Sequence, residues 1–210
     1  TGKLYETSVE ESINPEFLKA ASTSDSAFHG AGREDIDVKM LGDGRPFVLE
    51  LKNPKIRNID LKKLENKINK EYRDFIKVSN LKYSNRKEIA KIKQSKYKKC
   101  YKVVFECNNP VNSEKLKKVV LSLQGKTIKQ KTPSRVAHRR ADLVRNKKIY
   151  NCKIESVDET IITLKVETES GTYIKELING DENRTQPSIS GLLNNPCEVK
   201  KLDVIKVKGE

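Results

Sequence analysis

Several features are scarce in this chain of 210 residues, and each scarcity argues against a class of protein. Tryptophan is absent, methionine occurs once, and aromatic residues make up 6%. The four cysteines form no C-x-x-C pair, which argues against a structural zinc site or a disulfide scaffold. No apolar run approaches the roughly 20 residues of a membrane-spanning helix, and no signal peptide is visible. We therefore expect a cytoplasmic protein with reduced cysteines.

Positive charge, by contrast, is abundant and lies mainly in the middle of the chain. The formal net charge is +14. Residues 52–102 hold 18 Lys and Arg against 5 Asp and Glu, and residues 111–150 hold 12 against 2. Both ends of the chain are acidic overall. A basic middle predicts a polyanionic partner, and the arginine cluster at 135–145 favours nucleic acid.

Short helical and strand-like patterns mix without a regular βαβ rhythm, which predicts an α+β fold with a mainly antiparallel sheet. A capping box at Ser8 predicts a helix that Pro15 interrupts. Alternation and glycines predict a hairpin over residues 36–51, with its turn at Leu41-Gly42-Asp43-Gly44. A helix is predicted over 59–75 with Phe75 on its apolar face, followed by a strand-like run at 76–83.

The C-terminal part shows clearer patterns. Asn112 is a predicted N-cap for a helix that extends to Leu123. Alternating apolar residues predict five strands, at 101–107, 125–130, 148–155, 160–167 and 198–207. The cysteines at 100 and 107 fall in or beside the first of these strands, where a free thiol is usually a small buried hydrophobe.

One stretch concentrates charged chemistry next to glycines: Phe28-His29-Gly30-Ala31-Gly32-Arg33-Glu34-Asp35-Ile36-Asp37-Val38. Glycine lets the backbone turn tightly and approach a ligand, and an adjacent arginine keeps carboxylates ionised. The pattern is typical of an active-site loop, although a solvated charged turn would look similar. The residues alone leave Asp35 and Asp37 as alternatives, because strand alternation would point both to the same face.

Six motifs follow one another along the chain, and the first is part of the stretch just described. They are Gly32-Arg33-Glu34-Asp35-Ile36-Asp37-Val38, Leu41-Gly42-Asp43-Gly44-Arg45-Pro46-Phe47, Gln130-Lys131-Thr132-Pro133-Ser134-Arg135-Val136-Ala137-His138-Arg139-Arg140, Gly171-Thr172-Tyr173-Ile174-Lys175-Glu176, Gly180-Asp181-Glu182-Asn183-Arg184-Thr185 and Pro187-Ser188-Ile189. Together they resemble the pseudouridine synthases, and most closely the archaeal and eukaryotic Pus-ten family of tRNA enzymes. The resemblance runs from about Ser8 to Val207.

The resemblance implies the pseudouridine-synthase fold, with a bent sheet, flanking helices and an RNA-binding cleft. It implies one catalytic domain over 1–210 with two lobes, roughly 1–110 and 111–210. Family members carry an additional N-terminal RNA-binding region with a Cys-rich metal site. The sequence opens at Thr1-Gly2 without a methionine, so we expect it to be a domain of a longer protein, and this chain does not contain that region.

The implied activity is isomerisation of uridine to pseudouridine in the TΨC loop of tRNA, at conventional positions 54 and 55. Asp35 would be the catalytic carboxylate, Lys175 its cation, and Tyr101 the ring that stacks on the target uracil, with Tyr97 as the reserve candidate. Lys175 stands where related enzymes carry arginine, and lysine cannot bind both carboxylate oxygens in a fork. Because no redox step occurs, we expect no cofactor and no metal.

The remaining candidate residues bind substrate or RNA. The substrate-binding set is Arg33, Arg45, Tyr173, Ile189 and Leu192. The set predicted to contact the RNA backbone is Arg135, His138, Arg139 and Arg140. We expect tRNA as the partner, no membrane, and a monomer.

Two other functions fit part of the sequence. Asp37, Glu50 and Lys52 match a short metal-dependent nuclease pattern, in which the carboxylates hold Mg²⁺. That pattern leaves Gly171-Thr172-Tyr173 unexplained. A non-catalytic RNA-binding module fits the charge alone. Resistance to chelators separates synthase from nuclease, and uridine isomerisation separates synthase from passive binder.

Overall fold

The computed structural model describes residues 7–95 and 97–209. Within them the chain forms two compact units: the first contains residues 7–31 and 46–94, and the second contains 32–45, 95 and 97–209. The helices and strands, in chain order, are α1 (Val9–Ala21), β1 (Asp25–Gly30), β2 (Lys39–Met40), β3 (Phe47–Lys52), α2 (Leu61–Glu71), α3 (Arg86–Gln94), β4 (Lys98–Cys107), α4 (Ser113–Leu123), β5 (Thr127–Lys131), a 3-10 helix (Ser134–Arg139), β6 (Val144–Asp158), β7 (Ile161–Glu169), α5 (Ile174–Asn179), β8 (Thr185–Gln186), α6 (Ile189–Leu193) and β9 (Cys197–Lys208).

The first unit packs helices against the antiparallel pair β1–β3. The predicted capping box is confirmed, since the Ser8 hydroxyl accepts from the Glu11 backbone and the Glu11 carboxylate accepts from the Ser8 backbone. Pro15, however, does not interrupt α1, and this prediction was wrong. Ile13 and Phe17 lie on either side of it in the core of the unit, so packing offsets the hydrogen bond that proline cannot donate.

The segment after α2 also differs from its prediction. The helix ends at Glu71, and the Phe75 side chain is 87% exposed instead of lying on an apolar face. Residues 76–83 form no strand. The Asn69 amide instead donates to the carbonyl of Val78 and accepts from its N–H, at 2.8 and 2.7 Å. These bonds replace the sheet partners that a strand would have had.

The second unit contains a seven-stranded sheet with the order β2-β9-β4-β7-β6-β5-β8. The pair β2–β9 is parallel, and the other neighbours are antiparallel. The predicted α+β class with a mainly antiparallel sheet is therefore confirmed. The units do not follow the predicted lobes of 1–110 and 111–210, because β4 pairs with both β7 and β9 and so lies inside the larger sheet.

The predicted hairpin over residues 36–51 was wrong. Its first strand is only β2, which pairs with β9, whereas β3 pairs with β1. The Leu41 N–H donates to the Val204 carbonyl at 2.7 Å. Gly42 then has a φ of +67°, and a Cβ there would overlap the carbonyl oxygen of Ile205. Glycine is required because the chain runs against the β9 backbone, not because it turns into a hairpin.

The cysteines are buried free thiols, as predicted for Cys100 and Cys107. Cys107 on β4 is the cross-strand partner of Cys197 on β9, and their sulfur atoms lie 2.9 Å apart. Burial raises the pKa of Cys152 to about 12, so this thiol stays protonated and unreactive at neutral pH.

Candidate active site

The motif residues of the second unit meet around the segment Gly32–Val38, here named the catalytic loop. Gly32 has a φ of +84°, and a Cβ there would lie 3.2 Å from the Lys99 ammonium. The Val38 N–H donates to the Asp35 carbonyl at 3.1 Å, which makes a turn of residues 35–38. The predicted strand therefore begins only at Lys39, and strand alternation does not govern where Asp35 and Asp37 point.

Asp35 forms an ion pair with an arginine that is itself anchored by a buried carboxylate. The Arg135 Nη2 atom lies 2.8 Å from the Asp35 carboxylate. The same guanidinium donates from Nε to Glu176 at 2.7 Å and from Nη2 to its second oxygen at 3.4 Å. The Glu176 side chain is only 3% exposed. The planar guanidinium of Arg135 thus links the solvent-accessible carboxylate of Asp35 to the buried carboxylate of Glu176.

Arg135 has partners that the sequence did not predict. The sequence put Arg135 with the residues that contact the RNA backbone, but the 3-10 helix turns its side chain to the catalytic loop. Partial burial opposes the charge, yet the hydrogen bonds to Glu176 and Asp35 outweigh it and raise the pKa of Arg135 above its ordinary value. Asp35 therefore has a cation beside it at every accessible pH.

Lys175 was predicted to be the cation of Asp35, but the structure pairs it with Asp37 instead. Its ammonium binds both oxygens of Asp37, at 2.6 and 2.9 Å, and this hydrogen bonding lowers the pKa of Asp37. Asp35 and Asp37 thus have different cations because the turn between them separates their side chains. Of the two cations, only Arg135 is also bound to the buried Glu176.

Glu34 organises the other side of the loop. Its carboxylate accepts from Arg45 at 2.9 Å and from Lys99 at 2.5 Å. Arg45 also donates to the Gly32 carbonyl, so it binds the loop at two points. The sequence predicted Arg45 as a substrate-binding residue but gave no role to Glu34 or Lys99. The alternating pattern of β4 was the available signal for Lys99, because it puts residues 99 and 101 on one face.

Tyr101 lies beneath this group of charges and is 2% exposed. Burial, together with the negative charge of Glu34, raises the pKa of Tyr101 well above its usual range. The phenol therefore stays protonated. Tyr97 is also buried. Gly209 packs closely against its ring, since a Cβ at Gly209 would lie 3.3 Å from a ring carbon.

Gln130 fixes the entry to α5. Its wholly buried amide donates to the Tyr173 carbonyl and accepts from the Tyr173 N–H, both at 2.9 Å. This places the helix turn that carries Lys175 and Glu176. The Tyr173 hydroxyl accepts from Arg140 at 3.3 Å. The sequence assigned Gln130 no role, and its position inside a motif was the only available signal.

The remaining candidate residues differ in their exposure. Arg33, His138 and Arg139 are exposed. Ile189 is wholly buried in the core of the second unit, and Leu192 is 38% exposed. Their predicted contacts with uracil or RNA stay predictions.

The residues of the nuclease pattern each have a different partner. Asp37 binds Lys175 and Lys52 binds Asp25, while Glu50 lies 3.5 Å from His29. Among residues 7–95 and 97–209, no group of three His, Cys, Asp or Glu side chains is placed to hold a metal ion. The structure gives the nuclease interpretation no support.

The fold has clear matches among solved structures. One chain of the crystal structure of a Cbf5-Nop10-Gar1 complex aligns with a TM-score of 0.58 and 17% identity, over 94% of this chain and 44% of that one. A chain of the archaeal box H/ACA sRNP Nop10-Cbf5 complex aligns with a TM-score of 0.50 and 13% identity, over 92% and 42%. At this identity the likeness concerns the fold, and it confirms the predicted pseudouridine-synthase fold.

A family model described as "Pus10, C-terminal" matches residues 1–208, and the chain belongs to that family. It is 50% identical over 207 residues to the tRNA pseudouridine synthase Pus10 of Methanocaldococcus jannaschii, covering 99% of this chain and 45% of the relative. The enzyme of the same name from Methanosphaera stadtmanae is 44% identical, over 99% and 51%. The chain thus spans about half the length of these relatives. No helix in the described parts is long and apolar enough to cross a membrane.

Proposed function

We propose that this protein is a tRNA pseudouridine synthase that isomerises uridine in the TΨC loop, at position 54, 55 or both. The names of its relatives support the activity and the substrate. The observation that carries the proposal is the catalytic loop, in which Asp35 is held by Arg135 and Arg135 by the buried Glu176. We also propose that the protein acts as a cytoplasmic monomer.

The reaction needs one ionised carboxylate close to the ribose. Asp35 either attacks the sugar carbon that bears uracil or removes a neighbouring sugar proton. The bond from that carbon to the uracil nitrogen breaks, the base turns over, and a bond to a uracil carbon forms. The proton on that carbon is lost and the nitrogen gains one, so atoms balance without a cofactor. Arg135 holds Asp35 in orientation throughout and supplies a positive charge beside it.

Tyr101 fits a role in the last proton transfer. Because its phenol is protonated, it can accept the proton from the uracil carbon only by passing its own proton on. The Glu34 carboxylate lies close enough for its negative charge to act on the Tyr101 phenol, and it is the group proposed to receive that proton. Contact of the uracil with the ring itself needs the catalytic loop to shift, since the ring is 2% exposed.

Replacement of Tyr101 by phenylalanine is expected to slow product formation by about tenfold or more, because the hydroxyl relay is lost. Binding of tRNA should change little, since Arg45 and Lys99 still hold Glu34 in place. Single-turnover rates at saturating tRNA measure the effect, with Tyr97→Phe as the matched control. Normal turnover in Tyr101→Phe together with a slow Tyr97→Phe would transfer the role to Tyr97.

The exposed arginines after Arg135 are proposed to contact phosphates. Substitution of Arg139 and Arg140 by alanine should weaken tRNA binding and reduce the slope of log affinity against log salt by roughly 0.7–0.9 per lost contact. Titrations over a range of salt concentrations measure the slope. Lys118→Ala, an exposed cation on α4, is the control. A double variant with the wild-type slope would show that these arginines do not touch the RNA.

The direct test of the function is modification mapping. Unmodified tRNA transcript is incubated with the protein, and pseudouridine is located by a chemical adduct that stops reverse transcription. A stop in the TΨC loop is the expected result. Binding of tRNA without any pseudouridine would favour the passive RNA-binding module, and strand cleavage would favour the nuclease.

A further inference from the structure

Phe75 is the most exposed large apolar side chain in the described parts of the chain, at 87%. It follows α2 in a tight turn, where the N–H groups of Phe75 and Ile76 both donate to the Tyr72 carbonyl at 2.9 Å. Exposure of a phenyl ring to this degree is unfavourable in water. The position is not a consequence of a loose loop, because the chain on both sides is fixed.

Two side chains of α2 bind the returning segment. Asn69 pairs with both backbone groups of Val78, and the Glu65 carboxylate accepts from the Leu81 N–H at 3.1 Å. The apolar neighbours in sequence pack into the core of the first unit: Tyr72, Ile76, Val78 and Leu81. Phe75 is therefore a ring that points outward from a turn whose apolar sequence neighbours pack into the core.

Residues 70–77 carry three basic side chains and two acidic ones, Glu71 and Asp74. The basic ones are all exposed: Lys70 lies in the last turn of α2, and Arg73 and Lys77 lie on either side of Phe75 in sequence. Asp74 beside it is bound to Arg73 at 3.5 Å. Residues 46–94 of the same unit hold 14 Lys and Arg against 6 Asp and Glu. An isolated aromatic ring next to several cations matches an unpaired base with its phosphates, because the base stacks on the ring while the cations bind the backbone.

We propose that the turn of residues 70–77 is a second RNA-binding site, in which Phe75 stacks on an unpaired base of the tRNA. This rests on the proposed function only for the identity of the RNA. The contribution is to affinity: loss of one stacked base weakens binding about tenfold. The chemical step belongs to the catalytic loop and is unaffected.

The absence of tryptophan from the chain allows a direct test. Phe75→Trp introduces a single tryptophan, whose fluorescence is quenched when a base stacks on it. The control is Leu121→Trp, since Leu121 on α4 is also exposed, at 64%. We expect saturable quenching by unmodified tRNA in Phe75→Trp and none in Leu121→Trp. Unchanged emission in Phe75→Trp under conditions where tRNA is fully bound would overturn the proposal.

Affinity measurements complete the test. Phe75→Ala and Phe75→Leu should both raise the tRNA dissociation constant about tenfold, while Phe75→Tyr keeps it and single-turnover rates at saturation stay unchanged. Wild-type affinity in Phe75→Leu would show an apolar contact without stacking and overturn the proposal. So would a loss of self-association in Phe75→Ala with unchanged tRNA binding. Because these readouts are binding constants, a protein that binds tRNA but forms no pseudouridine would contradict the proposed function and leave this inference standing.

Discussion

Replacement of Asp35 by asparagine is expected to abolish isomerisation, with a loss of at least about 10⁴-fold in the single-turnover rate. Asparagine has nearly the same shape but cannot act as a carboxylate nucleophile or base. Arg135 remains bound to Glu176, so the site keeps its cation and the fold keeps its stability. Affinity for tRNA should stay close to wild type or rise slightly, because one negative charge near the RNA is removed.

The matched control is Asp37→Asn, which removes the neighbouring carboxylate and its pair with Lys175. We expect a much smaller loss there, because Asp37 serves to hold the loop. Pseudouridine formation in an unmodified transcript and a melting temperature should be measured for both variants. If Asp35→Asn turned over normally and Asp37→Asn were inactive, the catalytic role would move to Asp37.

Replacement of Arg135 by methionine is expected to have the second-largest effect, a loss of about 100-fold or more in the rate at saturating tRNA. Asp35 would lose the cation that orients it. Glu176 would also lose its partner, and an uncompensated carboxylate with 3% exposure costs about 3 kcal/mol of unfolding free energy. Arg135→Lys should recover only part of the activity, since lysine cannot bind two carboxylates in a fork.

A second variant separates catalysis from stability. In Arg135→Met with Glu176→Gln, the buried charge is gone, so the melting temperature should recover while the rate stays low. Lys175→Met is the comparison for the cation predicted from the sequence, and we expect it to be milder. Full activity in Arg135→Met combined with loss of activity in Lys175→Met would show that Lys175 is the cation of the catalytic carboxylate.

The two ion pairs of the loop, Asp35 with Arg135 and Asp37 with Lys175, show where sequence reasoning reached its limit. The sequence identified the loop and its carboxylates, because glycines and charges next to each other are visible in the chain itself. It did not identify their partners. Asp37 and Lys175 are 138 positions apart, and which cation meets which carboxylate depends on the turn at residues 35–38 and on the 3-10 helix that carries Arg135. Neither feature has a strong local pattern.

The same limit applied to the Phe75 turn and to the hairpin. Helical spacing placed Phe75 on an apolar face, but the helix ends at Glu71 because the chain turns back and Asn69 binds the backbone of Val78. The glycines at 42 and 44 indicated a hairpin, but β2 pairs with β9 instead. A glycine pattern cannot distinguish a tight turn from close passage by a distant strand.

What the sequence determined by itself was the content of the fold and the presence of the chemistry. Elements with their own local signal formed as predicted: α4 with Asn112 as its cap, the strand that contains Tyr101, and the last strand β9. Capping and alternation act between near neighbours, so the chain carries that information directly. Tertiary structure alone decided that Arg135 joins Asp35 to Glu176, that Glu34 binds both Arg45 and Lys99, and that Phe75 faces solvent. These arrangements depend on contacts between distant segments, whose geometry is set only when the sheet and the turns are complete.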